Sequence, residues 1–262
     1  MSLLATDTNA LAEPSRALRW RESRALLDFG RMFAPLLLPA GSAKTSNPQT
    51  VIILPGFGAD DRVMWPLRRY LQKLGHHAEG WGLGFNRAGT NIKHQLHDLS
   101  PGWAIEHVSP YRGEGGVPML CDRMVQRVRE RHLEHKSPIC LVGWSLGGVV
   151  AREVARELPH AISQVITLGT PVQGGPKYTA SAPYFRKLGM DLDWIEREVA
   201  RRDAMPIQVP ITAIISRSDA VVNYAATLDH ISPNVSHVEI DAAHIGMCVN
   251  PSVWRAIAQA MT

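Results

Sequence analysis

A glycine–serine motif at residues 143–147 joins a β-rich run to a helical run. The preceding residues ICLV favour a buried strand, and LGGVVAREVARE after the serine favours a helix. Gly143 and Gly147 leave room for a tight turn between the two elements, as the pattern G-x-S-x-G requires. The motif therefore predicts an α/β fold with Ser145 as a nucleophile. The alternative is an ordinary glycine-rich turn at the start of a helix.

Short β-rich runs alternate with helical stretches on both sides of this motif. The sequence predicts strands at 51–54, 139–142, 165–168, 211–215 and 235–240, and a weaker one at 77–83. It predicts helices from Asp60 or Asp61 to Leu74, and over 119–135, 146–158 and 251–261. Such alternation builds a mainly parallel central sheet flanked by helices. We predict a single α/β domain over residues 1–262.

Three segments depart from this alternation. Residues 85–118 are rich in Gly, Pro and His, and residues 173–208 carry one short helical pattern, so both are candidate lid segments. Residues 1–45 are predicted to form a helical extension, in which 15–38 is amphipathic and basic. That stretch is either a peripheral membrane contact or a helix packed on the domain, and we favour the second.

Composition argues against several classes of protein. Apolar residues make up 45% and charged residues 20%, and no apolar run is long enough to span a membrane. The net charge of +4 is a mild basic excess, so we expect no nucleic-acid partner. Three scattered cysteines and a start unlike a signal peptide favour a cytoplasmic location. The sequence does not predict the oligomeric state.

No cofactor and no metal are expected from the motifs. The histidine pairs at 76–77 and at 94 and 97 lack a full set of metal ligands. The sequence also contains neither a phosphate-cradling loop nor a dinucleotide-binding fingerprint.

A serine nucleophile needs a base, usually a histidine that an acid holds in place. The histidines that follow Ser145 are His160, His230, His237 and His244. Only His244 lies just after the last predicted strand, where a catalytic histidine of this chain order belongs.

The acid is expected after the preceding strand. Asp219 lies four residues beyond Ile215, close to the carboxyl edge of the predicted sheet. The other candidates are Asp191 and Asp193 in the second lid segment and Asp241 close to His244. We prefer Asp219 because of its position.

An oxyanion hole needs two backbone N–H donors. The predicted donors are Leu146, directly after the serine, and Phe57 in the turn PGFG at 55–58. Taken alone, the sequence PGFG is better explained as an ordinary β-turn, for which Pro is preset. Its occurrence together with residues 143–147 favours the oxyanion role. The apolar residues expected to line a substrate pocket, each of which is otherwise plain core, are Trp144, Val172, Tyr184, Val221 and Ile245, with Phe57, Leu146, Tyr178 and Phe185.

Five segments together resemble bacterial α/β-hydrolases of the esterase and lipase type: LPGFGADD, GWSLGG, VITLGTPVQG, ITAIISRSDAVV and AAHIGMCVNP, in that order. The resemblance covers most of residues 50–262. It implies the α/β-hydrolase fold, a triad of Ser145, Asp219 and His244, and oxyanion donors at Phe57 and Leu146, while the two long segments at 85–118 and 173–208 predict a small lid. It also implies hydrolysis of a small-molecule or lipid-like carboxylic ester. The alternatives are an acyltransferase, thioesterase or amidase with the same triad, and a non-catalytic binding module.

Overall fold

The computed structural model describes residues 45–103 and 112–262, together with 10–14, 20, 22, 23, 25, 29, 30 and 32. Its strands are β1 (Thr50–Leu54), β2 (His77–Gly80), β3 (Ile139–Trp144), β4 (Ile162–Leu168), β5 (Ile211–Ile215) and β6 (Val235–Glu239). They form one sheet in the order β2-β1-β3-β4-β5-β6, and each neighbouring pair is parallel. The predicted parallel α/β architecture is confirmed, with only the strand ends adjusted.

Helices lie against this sheet and in the segment between β4 and β5. Within residues 45–103 and 112–262 the α-helices are α1 (Trp65–Lys73), α2 (Gly116–His135), α3 (Leu146–Glu157), α4 (Ala182–Lys187), α5 (Leu192–Asp203) and α6 (Pro251–Ala260). Short 3₁₀ turns include Gly175–Tyr178 and Ile245–Cys248. None of the described helices combines the length and the apolar character that a membrane crossing requires.

The central strands β1 and β3 are buried on both faces of the sheet. Along β1, Val51 and Ile53 pack in one core cluster with residues of α1 and α6. Ile52 and Leu54 point to the opposite face and pack with residues of α2 and α3. A parallel sheet covered on both faces explains why β1 and β3 are almost entirely apolar in sequence.

The strand order places a crevice at the carboxyl ends of β1 and β3. The chain leaves β1 for β2 on one side and later returns to β3 on the other side. Loops that follow two such strands diverge, and ligands bind at this switch point in open α/β sheets. Leu54 at the end of β1 is in register with Gly143 of β3, so the turns after both strands meet at this crevice.

The predicted start of the first helix is wrong. Helix α1 begins at Trp65, and neither Asp60 nor Asp61 caps it. The Asp61 carboxylate instead accepts hydrogen bonds from the N–H groups of Trp81, at 2.9 Å, and Gly82, at 3.2 Å. Asp61 thus ties the loop before α1 to the residues after β2, a long-range contact that outweighs local capping preference.

The N-terminal extension lies mostly outside the described residues, and so does most of the predicted helix at 15–38. The described positions 25, 29 and 30 are helical. Ala25 is buried, and Met32 packs against the core cluster that also contains α1 and α6.

Candidate active site

Ser145 occupies a strained turn between β3 and α3. Its backbone angles are φ 54° and ψ −122°, a conformation that L-residues rarely adopt and that costs about 1–3 kcal/mol. The Ser145 N–H donates to the carbonyl of Leu168 in β4 at 2.8 Å, and its carbonyl accepts from the N–H of Gly148 at 2.9 Å. The neighbouring strand and the first turn of the helix therefore hold the serine in place.

The two glycines of the motif are required by close backbone approach. A Cβ on Gly143 would lie 2.4 Å from the Cα of Gly148. A Cβ on Gly147 would lie 2.3 Å from the carbonyl oxygen of Leu54 in β1. Since both obstacles are backbone atoms, a side chain at either position would displace α3 from the sheet.

Asp219 and His244 are in direct contact beneath the same crevice. The Asp219 Oδ2 atom lies 2.6 Å from the Nδ1 atom of His244. The other carboxylate oxygen accepts from the N–H groups of Val221, at 2.8 Å, and Val222, at 2.7 Å, which fixes the carboxylate in the loop after β5. With Nδ1 bonded to Asp219, Nε2 is the ring nitrogen available for proton transfer.

The surroundings of His244 raise its basicity. Burial favours the neutral imidazole and acts to lower its pKa. The charge of Asp219 and its hydrogen bond act in the opposite direction, assisted by the charge of Glu22, so the pKa of His244 lies above its ordinary value. A base with this environment binds a proton more readily than a histidine in water.

Trp144 connects the serine turn to the histidine loop. Its indole N–H donates to the main-chain carbonyl of His244 at 3.1 Å, and the two rings lie 5.5 Å apart. Ser145 and His244 line the same cavity, yet no hydrogen bond joins the hydroxyl of the one to the imidazole of the other, although both residues are described. Such bonds are often long without substrate and shorten in the reacting complex.

The two predicted oxyanion donors lie in the segments that follow β1 and β3, which meet at the switch point. Leu146 is the first residue of α3, where N–H groups have no partner within the helix. Phe57 follows Gly56, on which a Cβ would lie 3.1 Å from the Cβ of Ser145. Within the described part of the chain, neither the Phe57 nor the Leu146 N–H donates to another residue. Both N–H groups are thus available beside the serine, at the positive end of the α3 dipole.

A largely apolar cavity of about 560 Å³ opens at this site. Of the predicted pocket residues, those that line it are Phe57, Trp144, Leu146, Phe185, Val221 and Ile245. Both candidate lid segments also line it, the first through residues such as Trp103 and Val117, and the second through residues such as Phe185 and Trp194. Of the first segment, residues 104–111 lie outside the described part of the chain.

Three predicted pocket residues do not line this cavity. Val172 is buried, and its N–H donates to the carbonyl of Ala226 at 2.7 Å. The hydroxyl of Tyr178 donates to Glu196. Tyr184 is 45% exposed and lines a separate depression beside Phe57.

Other lining residues were not identified from the sequence. Val149 and Glu153 lie four and eight residues after Ser145 on α3, so helical periodicity from the serine would have found them. Arg202 stacks on Trp103, with its guanidinium carbon 4.4 Å from the ring centroid. No local pattern relates these two residues, because they come from different segments.

The described residues offer no ready-made metal site. No set of three His, Cys, Asp or Glu side chains among them is arranged to hold a metal ion.

Comparison with known proteins gives one curated relative and many related structures. No protein-family profile matches the chain. A pimeloyl-[acyl-carrier protein] methyl ester esterase of Sodalis glossinidius is 31% identical over 149 residues, which are 56% of this chain and 48% of that protein. The chain thus spans about half the length of this curated relative.

Two solved structures illustrate the likeness of fold. An esterase from Pyrococcus furiosus has a TM-score of 0.50 and 20% identity, over 82% of each chain. The lipase BlEst2 from Bacillus licheniformis has a TM-score of 0.53 and 13% identity, over 86% of this chain and 96% of that one. By its parallel sheet, its strand-to-helix serine turn and these likenesses of structure, the chain is an α/β-hydrolase-fold protein, and 56% of it is similar in sequence to a bacterial methyl ester esterase.

Proposed function

We propose that the chain is a serine carboxylic-ester hydrolase whose catalytic triad is Ser145, His244 and Asp219. The observation that carries this proposal is the shared cavity, which brings a strained serine together with a buried histidine bonded to a carboxylate. A strained nucleophile and a base with a raised pKa are arrangements that proteins build chiefly at reacting centres.

The proposed reaction proceeds through an acyl-enzyme. His244 Nε2 removes the proton of the Ser145 hydroxyl as its oxygen attacks the acyl carbon, and the N–H groups of Phe57 and Leu146 bind the resulting oxyanion. The imidazolium then gives this proton to the departing alcohol. A water molecule, deprotonated by the same base, attacks the acyl-enzyme and releases the acid together with the free serine. Asp219 stabilises the charged imidazolium throughout.

Ester hydrolysis is preferred over other acyl chemistry because the curated relative is named as a methyl ester esterase. The same triad would also serve acyl transfer, or hydrolysis of thioesters and amides. Product analysis in the presence of added alcohol separates a hydrolase, which releases acid, from a transferase, which forms a new ester.

We further propose that the acyl chain lies along α3. The cavity is lined by Leu146, Val149 and Glu153, which share one face of this helix. Glu153 is eight residues beyond the serine, about 12 Å along a helix with a rise of roughly 1.5 Å per residue. A cavity of this length suits an extended, medium-length acyl chain better than an acetyl group.

Val149→Trp is expected to shorten the accepted acyl chain. The larger ring would fill the cavity one helical turn from Ser145, so kcat/KM should fall about 10- to 100-fold for octanoyl esters and little for acetyl esters. The measurement is hydrolysis of p-nitrophenyl esters graded by chain length. Val149→Ala serves as the control and should keep activity on the long esters. Equal losses at all chain lengths for Val149→Trp would contradict this placement.

A fluorophosphonate probe tests the triad itself. The probe is expected to label the intact protein once, on the peptide that contains Ser145, as mass spectrometry would detect. Labelling should require the neutral base and therefore decline at acidic pH. Failure to label, together with failure to hydrolyse the whole ester panel, would favour the binding module instead.

A further inference from the structure

Glu22 of the N-terminal extension reaches the loops that carry the proposed acid and base. One carboxylate oxygen accepts from the N–H of Ala220 and from the N–H of His244, each at 3.1 Å. The other oxygen accepts from the N–H of Ile245 at 3.0 Å. A single partly buried side chain thus satisfies three main-chain donors.

These three donors belong to two separate loops of the site. Ala220 directly follows Asp219 in the loop after β5, whereas His244 and Ile245 belong to the loop after β6. Ile245 begins a 3₁₀ turn, whose first N–H groups lack partners within the turn. Glu22 therefore fixes the main chain of both loops whose side chains form the hydrogen bond between Asp219 and His244.

Two charges act on the His244 imidazole, Asp219 from the β5 loop and Glu22 from the N-terminal extension. Asp241, on the same loop as His244, accepts from the hydroxyl of Ser218. Trp144 packs on the imidazole from β3 and carries no charge. A negative Glu22 stabilises the imidazolium that forms when His244 takes the serine proton.

We propose that Glu22 is a positioning residue for the catalytic base, which it orients through the main chain of both loops and supports with its charge. This inference rests on the proposed function, since it assigns Glu22 a part in the same proton transfer. Glu22 touches no reacting atom, and its effect passes through His244 and Asp219. Two described residues of the N-terminal extension accordingly belong to the site, Glu22 through its hydrogen bonds and Phe29 because it lines the substrate cavity.

The test compares Glu22→Gln with the wild-type full chain. Glutamine has one acceptor oxygen, so it opposes an N–H group with its own amide donor and loses the charge. We expect kcat/KM for a p-nitrophenyl ester to fall about 10- to 100-fold. The acidic limb of the kcat/KM profile, which reports protonation of His244 in the free enzyme, should move to lower pH by at least about half a unit.

Two further variants separate charge from folding. Glu22→Asp keeps the charge on a shorter side chain, so kcat/KM should fall while the acidic limb stays closer to that of the wild type. Glu13 lies elsewhere in the same extension and forms an ion pair with Arg186 of α4. Glu13→Gln removes this ion pair and should change neither kcat/KM nor the position of the acidic limb. Active-site titration with the fluorophosphonate corrects every rate for the fraction of folded enzyme.

Several results would overturn the inference. One is a Glu22→Gln enzyme with wild-type kcat/KM and an unmoved acidic limb, while the wild type hydrolyses esters and labels at Ser145. Another is a loss of activity in which the acidic limb stays fixed, since that indicates general damage. If Glu22→Gln does not fold, Glu22→Asp is compared per active site titrated by the fluorophosphonate. A wild-type rate per titrated site decides against positioning, and a lowered rate per titrated site at a wild-type melting temperature decides for it. A wild type that neither hydrolyses nor labels refutes the proposed function first, and this inference with it.

Discussion

Ser145→Ala is expected to lower kcat for ester hydrolysis by a factor on the order of 10⁶. The substitution removes the oxygen that forms the acyl-enzyme and leaves the oxyanion donors and the cavity in place. Steady-state hydrolysis of a chromogenic ester measures the rate, and circular dichroism checks the fold. Alanine, like serine, is strained at a φ of 54°. The substitution should therefore change the free energy of unfolding little, while it changes the rate greatly.

The partners of Ser145 should behave as one unit with it. His244→Ala is expected to cost about as much as Ser145→Ala, and the double variant should be no slower than either single variant. Asp219→Asn leaves a hydrogen-bonding group at Nδ1 but favours the wrong tautomer, so a loss of about 10⁴-fold is expected. Additive losses across the three positions would contradict a shared mechanism.

Ser252 provides the matched serine control. It is exposed on α6, and its hydroxyl accepts a hydrogen bond from Arg255 on the same helix. Ser252→Ala should therefore retain the wild-type rate. A Ser145→Ala enzyme within tenfold of this control would exclude Ser145 as the nucleophile.

Local patterns predicted the parts of the fold whose structure follows from nearby residues. The strand β3, the turn at Ser145 and the helix α3 are contiguous in sequence. The two glycines of the motif are needed because backbone atoms of neighbouring segments approach them closely, as any such turn requires. The order of residues along the chain then narrowed the candidates for the catalytic histidine and aspartate. The loops that follow parallel strands all lie at the carboxyl edge of the sheet, so the site residues are expected in those loops. Asp219 and His244 lie in contact although 25 residues separate them.

Contacts made by long loops and by the N-terminal extension could not be predicted in this way. Glu22 accepts hydrogen bonds from Ala220 and His244, which lie 198 and 222 positions further along the chain. No spacing in the sequence indicates that these residues are in contact. Val172 has the apolar character of a pocket residue, yet it is buried away from the cavity and its N–H bonds to Ala226. The path of a loop is set by tertiary contacts, so residue type alone does not decide which side chains face a cavity.

The buried ion pair between Arg152 and Asp229 is a second feature of this long-range kind, and its loss should be strongly destabilising. Arg152 on α3 donates to Asp229 at 2.7 Å, and the two side chains are only 5% and 1% exposed. Burial acts to raise the pKa of Asp229, but the charge of Arg152 and the N–H groups of Ser232 and Ile231 outweigh it and hold that pKa well below its ordinary value. Two charges out of water are tolerated here because each compensates the other.

Arg152→Met is therefore expected to lower the free energy of unfolding by about 3–5 kcal/mol, because it leaves the Asp229 carboxylate buried without its cation. For a chain of this size the melting temperature should fall by roughly 6–20 °C. Differential scanning calorimetry at neutral pH measures the change. Arg62→Met is the matched control, since Arg62 pairs with Asp60 at the surface with its own side chain 89% exposed, and little change in Tm is expected.

The pH dependence of this effect has a definite sign. Because the pKa of Asp229 is lowered in the folded state, its ionised form stabilises the fold above the ordinary value of 3.8, and this stabilisation is lost as the pH falls toward the folded-state pKa. The stability gap between the wild type and Asp229→Asn should thus be constant from neutral pH down to about pH 5 and shrink below about pH 4. A gap that stays constant into strong acid would show that the pair contributes through packing and hydrogen bonding rather than through its charge.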